Sequence, residues 1–350
     1  MAAAGTLGFS VLQAAMAQQA SLLVLSKRDH TLAIVDPATL KVVGARVPVG
    51  DDPHEVIASA DGRTAYVSNY GGGSFHTLAV IDLVAQKALP PIDLGALNGP
   101  HGLTFVGGKV WFTAEGAKAF GRYDPATAKV DLILGTGQNR THMIYVSPDE
   151  QHIIVTNVAS GTVTFLDKEE MHMGPPPGPG GPGGPGPRGP GGPPPGGGPP
   201  RKDWNETVVK VGGGSEGFDV LPDDREVWVA NAQDGTISVI DRGSKTVVAT
   251  LPGNARGANR LKFTLDGKLA LVSLLSGGDL VVIDAHTRKE VKRIDIGHGA
   301  AGIVMQPDGK RAYVSCGPDN YVAVIDLATL TMVGKINAGG EPDGLAWAVR

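Results

Sequence analysis

Cysteine is nearly absent. Cys316 is the only one in 350 residues, so no disulfide can form within the chain, and packing and hydrogen bonds must hold the fold. Charge is sparse as well: the formal net charge is −4, which supplies neither the basic surface of a nucleic-acid binder nor an acidic tail. No uninterrupted apolar run approaches the roughly 20 residues that a membrane-spanning helix needs. The chain also lacks a Gly-x-Ser-x-Gly elbow, a P-loop and a Cys-x-x-Cys-His haem attachment. Three routes to chemistry are thereby removed.

What the chain has is repetition. The stretch 311–326, RAYVSCGPDNYVAVID, is two apolar, β-branched and aromatic runs joined by Gly-Pro-Asp-Asn, which reads as a β-hairpin. RTAYVSNYGGGSFHTLAVID (63–82), REVWVANAQDGTISVID (225–241) and KLALVSLLSGGDLVVID (268–284) repeat it. Aligning the copies on their closing aspartates, or the equivalent residue, gives 36, 82, 124, 167, 241, 284 and 326, with spacings of 46, 42, 43, 74, 43 and 42. Only the 74 is discordant, and it contains the segment 174–200, almost wholly glycine and proline. Without that segment and its flanks the period returns to about 43. Seven units of this length with four short strands each predict an all-β, seven-bladed β-propeller.

The ends support the count. After residue 19 the chain begins in a hairpin with no inner strand of its own, and it finishes with a spare one, Gly344 to Ala348. That strand is expected to complete the first blade and close the ring, so that no sheet edge stays open. Residues 20–350 are read as a single domain. The segment 174–200 is read as a disordered, partly polyproline II insertion between the third and fourth strands of the fourth blade. Residues 1–19 carry an uncharged, mildly apolar stretch ending Ala15-Met16-Ala17, like a secretory signal without its basic start, so a periplasmic or secreted location is expected.

AYVSN (65–69), AYVSC (312–316), VWVAN (227–231) and IVTN (154–157) resemble the repeat motif of YVTN-type β-propeller proteins. The resemblance covers residues 21–350 apart from the insertion. It implies a seven-bladed, exported or surface propeller that binds a partner or ligand. One copy differs: PHGLTFVGGKVWFTAEGAKAFGRYDPAT (100–127) resembles a blade of the streptogramin lyase and gluconolactonase-like propellers. Those use a divalent cation at the channel mouth for lyase or ester chemistry.

In a propeller the loops entering the inner strands, and those joining second to third strands, surround the channel mouth. The recurring turn aspartates, such as Asp82, Asp124, Asp266 and Asp326, fall on the other face and are explained by Asx turns. The position just before each inner strand reads, around the ring, His54, His101, His142, Glu216, Asn259, Ala301 and Asp343. Two readings stand side by side. The histidines are framework, each bonding the backbone of the next blade; or His54, His101, His142 and Glu216 hold a divalent transition metal, for which three imidazoles and a carboxylate are suited. No other cofactor is indicated. Arg140, Arg260, Asn259 and Asp343 are the candidate ligand contacts, and Glu115 or Glu55 the candidate general base. Asn69 and Asn231 are read as turn-formers.

The function expected is a monomeric binding module that takes a protein or small-molecule ligand at the channel mouth. The alternative is a metal-dependent lyase or lactone hydrolase at the same place.

Overall fold

The computed structural model describes residues 20–171, 201–252 and 255–350; the expected signal at 1–19 and the insertion at 174–200 lie outside them. Seven antiparallel sheets account for the described residues. Six run inner to outer in chain order and form blades 2 (53–93), 3 (100–135), 4 (141–210), 5 (215–252), 6 (258–295) and 7 (300–336). Blade 1 takes its inner strand, Pro342–Val349, from the C-terminus and its second strand, Ala20–Ser26, from the N-terminal side. Their register runs from Ala20 opposite Val349 to Ser26 opposite Pro342. The expected closure is present. Blade 1 also has a broken outer edge, where Lys41–Val42 and Val47–Pro48 each pair with Thr31–Asp36.

The burial pattern explains the composition of the repeat. The second and third strands are covered on both faces by neighbouring blades, so they read as continuous apolar runs. Thr64–Asn69 and Arg311–Cys316 are buried at five successive positions. The fourth strands are largely exposed, and those such as Lys129–Gly135 and Thr331–Ile336 alternate, because only one face packs. The core is therefore seven layers, one between each pair of adjacent blades. Leu23, Ile34, Val56 and Ile81, for example, join blade 1 to blade 2, and Leu22, Val35, Tyr313 and Val324 join blade 7 to blade 1.

Turn chemistry is local, as expected. Gly62, Gly267 and Gly309 take positive φ at the end of the first turn, where their N–H groups bond back to residues 59, 264 and 306. Asp82, Asp124 and Asp326 each accept backbone N–H groups two or three residues on. The strands flanking the insertion, Thr162–Met171 and Arg201–Lys210, stay paired to their ends, four residue pairs beyond Asp167. Cys316 is fully buried, and burial pushes its thiol up to about 12. It is inert packing. No helix of the described residues is long and apolar enough to cross a membrane.

Candidate functional site at the channel mouth

The seven positions that precede the inner strands converge. His54, His101, His142, Glu216, Asn259, Ala301 and Asp343 all line one cavity of about 430 Å³. A β-bulge aims them there. In blade 2, Pro53 pairs with Asn69 and Val56 with Val67, so His54 and Glu55 together oppose Ser68. The same slip occurs at the matching place in every other blade. A bulge re-aims a side chain that would otherwise stay in the pleat.

Two further devices hold the bulges in place. The first is a hydroxyl on the second strand. Thr113 accepts from Gly102 N–H (2.8 Å) and donates to the His142 carbonyl of the next blade (2.6 Å). Thr156 does the same between Met143 N–H and the Glu216 carbonyl, and Ser273 between Arg260 N–H and the Ala301 carbonyl. This is the Ser/Thr of the repeat motif. The second device is the glycine that follows the site position in four blades. A Cβ on Gly102, Gly217, Gly302 or Gly344 would lie 2.5, 2.5, 2.4 or 2.3 Å from the carbonyl oxygen of His142, Asn259, Asp343 or His54. Neighbouring inner strands can approach this closely only without that carbon.

The imidazoles form a row, edge-on between His54 and His101 and tilted between His101 and His142. The rings of His54 and His101 are 4.9 Å apart and those of His101 and His142 are 3.9 Å apart. His101 and His142 are 3% and 2% exposed. His142 lies between two carboxylates: its Nδ1 is bonded to Glu115 Oε1, and its Nε2 is 2.8 Å from Glu216 Oε2. The second contact is close but poorly directed, and Nε2 makes no aligned hydrogen bond. Burial opposes protonation of His142, but the charges of Glu216 and Glu115 outweigh it and hold the ring above the usual histidine range. Burial likewise acts against ionised Glu216, yet His142, Arg260 and Arg140 pull it down to about 2. His101 is the opposite case. Burial, reinforced by His142 and His54, holds it well below the usual range, and its Nδ1 is buried with no partner.

The remaining polar groups are paired. Arg260 of blade 6 reaches across the channel to Glu55 of blade 2. Arg140 Nε donates to Glu115 Oε2 (3.3 Å) and lies 3.8 Å from Glu216. Asp343 is 3.4 Å from Lys27, which donates to His54 Nε2 (2.9 Å). His54 Nδ1 faces the Asp52 carbonyl at 3.3 Å. Both nitrogens of His54 are thus engaged, which sets it apart from His101 and His142. Glu115, 5% exposed, and Glu55 are tied into ion pairs, so neither stands free as a base. Asn259 accepts from Arg260. Asn69 and Asn231 bond threonines of the adjacent strand, a framework role.

Sequence reasoning missed Lys27 and Tyr70. Tyr70 O–H donates to Glu115 Oε2 (2.6 Å); burial and that carboxylate push the phenol up to about 12. With Glu115 they occupy one repeat position, directly after the second strand, which continues around the ring as Val158, Ala232, Leu275 and Gly317. That position is polar in blades 1–3 and apolar or glycine elsewhere. The same divergence that picked out the first ring of residues would have found this one.

A second cavity, of about 560 Å³, lies on the opposite face between blades 5 and 6. Its aspartates Asp223, Asp241 and Asp266 are each bonded to nearby backbone amides.

Residues 197–308 match the family model of YNCE-like β-propellers. No sequence of a curated protein matches the chain. Solved structures share the fold at low identity. A functionally unknown protein from Desulfotomaculum acetoxidans is 13% identical, with a TM-score of 0.69 over 92% of this chain and 98% of that one. Hydrazine synthase from Kuenenia stuttgartiensis is 17% identical, with a TM-score of 0.68 over 88% and 92%. A candidate 6-phosphogluconolactonase from Bacteroides uniformis is 14% identical, with a TM-score of 0.70 over 94% and 100%. The chain is a seven-bladed β-propeller, and the run from the end of its fourth blade to the start of its seventh matches the YNCE-like propellers.

Proposed function

We propose that this propeller is an exported, monomeric binding module that takes a small polar ligand at the channel mouth. The observation that supports it is the convergence of all seven repeat positions on one cavity of about 430 Å³. The charged side chains around that cavity are already oriented by ion pairs, so little ordering is left for a ligand to impose. Lys27, Arg140 and Arg260 alternate there with Glu216, Asp343 and imidazoles. Such a lining suits a hydroxyl-rich molecule bearing one anionic group. Aldonic acids and their phosphates are the class to test, by calorimetric titration of the purified chain. Arg140, 45% exposed at its side chain, is the contact to remove. Arg140→Ala should weaken binding about tenfold or more, as expected for a charged hydrogen bond of about 1.5–3 kcal/mol. Absence of binding across the panel, or equal affinity in Arg140→Ala, would sink this reading.

A second reading is a metal-dependent lyase or lactone hydrolase at the same cavity. It is favoured by the mixed imidazole and carboxylate cluster and by fold neighbours described as candidate 6-phosphogluconolactonases. With Glu115 and Glu55 held in ion pairs, water activation would fall to the metal, not to a free carboxylate. Release of acid from lactones of the same panel, followed at constant pH, separates this reading from simple binding.

A further inference from the structure

We propose that the channel mouth holds one zinc-class divalent ion on His101, His142 and Glu115, with Glu216 and Tyr70 as the outer partners that fix these ligands. The proposal deepens the reading of the channel mouth as a ligand site and rests on it.

Three observations carry it. Ligand atoms of His101, Glu115 and His142 all lie within 4.8 Å of one another, and all three residues are buried. Atoms at that separation can be drawn onto a single ion at the roughly 2.0–2.2 Å that nitrogen and oxygen donors prefer. Second, His101 Nδ1 is buried without a partner on a residue 3% exposed. A buried ring nitrogen that finds no hydrogen bond loses its hydration without return. A cation on Nδ1 would restore it. Third, the outer contacts are those a metal ligand needs. Glu115 Oε2 is held by Tyr70 (2.6 Å) and Arg140 (3.3 Å), which leaves Oε1 toward His142. Glu216 stands 2.8 Å from the far nitrogen of His142. Turned into line with that nitrogen, the Glu216 carboxylate would fix the tautomer and orientation of a ligating imidazole.

The donor set decides the class of ion. Two imidazoles and one carboxylate favour zinc and its neighbours over the all-oxygen shells of calcium and magnesium. Three protein donors would leave a fourth position open, and His101 and His142 both border the cavity, so an ion held there would lie beside the ligand space. His54, with both nitrogens engaged by Lys27 and Asp52, is left outside the set.

The experiment is calorimetric titration of the chelator-treated, full-length chain with zinc chloride, with cobalt absorption spectra recorded in parallel. One ion per chain is expected, with cobalt bands typical of low coordination. His101→Ala should weaken zinc by more than the about 10–100-fold that losing an outer partner such as Glu216 costs. His298→Ala, at an exposed histidine paired with Asp319, should bind as the parent does. A His101→Gln variant and the melting temperature of each metal-free variant guard against loss of fold. Fewer than half an equivalent of zinc, or unchanged zinc affinity in a folded His101 variant, overturns the proposal. Failure here with aldonic acid binding intact in the chelator-treated protein removes the metal alone. Zinc binding without any organic ligand removes the broader reading and keeps the site.

Discussion

The two faces of the ring carry charge in opposite ways. On the face away from the mouth, most turn aspartates are satisfied by amides a few residues along the chain, as Asp326 is by Ala328 and Thr329; Asp167, held by His152 and by Lys245 of the next blade, is the exception among them. At the mouth, partners come from other blades: Arg260 and Glu55 are 205 residues apart, and Tyr70 and Glu115 are 45 apart. The first face repeats because a turn needs the same residue every time. The second does not repeat, because each pair is solved once between particular blades. Identical scaffolding therefore produces one bland face and one individual face. A site needs the latter.

The comparison breaks most visibly at the pair that crosses the channel. Arg260 is 6% exposed, so Arg260→Met should leave Glu55, 12% exposed at its side chain, a largely enclosed and unpaired carboxylate and cost about 3 kcal/mol in urea unfolding. Adding Glu55→Gln should recover much of that loss. A single-variant cost below about 1 kcal/mol would show that the pair is solvated and that the two faces are alike. Next comes Gly344→Ala, whose new Cβ would meet the His54 carbonyl at 2.3 Å and Glu55 Cα at 2.9 Å. Overpacking between inner strands should cost about 1–3 kcal/mol; no change in melting temperature would mean that the mouth has room to relax.

Thr113→Val sharpens the comparison further. It removes a buried hydroxyl that serves two blades at once, and the stranded Gly102 amide and His142 carbonyl should cost about 1–3 kcal/mol. Equal stability of the valine variant would show that the relay is dispensable. The smallest effect belongs to the opposite face. Hydrogen bonds from Thr264 and Lys268 pull the Asp266 carboxyl down to about 2. Because its folded value is depressed, its contribution is present above about pH 4, the usual aspartate value, and is lost as pH falls toward 2. Asp266→Asn should flatten the acid limb of the stability curve only slightly, since solvent screens this exposed side chain. A large flattening would mean that the turn face carries more of the stability than its local hydrogen bonds suggest.

Much of the architecture was legible from residues alone. The repeated run ending in Val-Ile-Asp, the Asp-Gly turns and the spare C-terminal strand each have local causes, so counting them led to seven blades and a closed ring. The ring of positions before the inner strands was legible for the same reason. Lys27 and Tyr70 were legible in the same way, since they directly follow the aligned second strands, but only the ring of positions before the inner strands was compared from blade to blade. The pairing of Arg260 with Glu55 could not be read at all. Nothing near either residue names a partner on the far side of the channel.

The sequence by itself determined the fold and the turn chemistry, because strand, turn and buried-run preferences act over a few residues. The tertiary structure decided which polar groups meet: that His142 lies between two carboxylates, that His54 is taken by Lys27, and that His101 Nδ1 is left without a partner. Such contacts depend on bulges that turn side chains inward and on the close approach of inner strands from different blades. Distance along the chain carries no information about either.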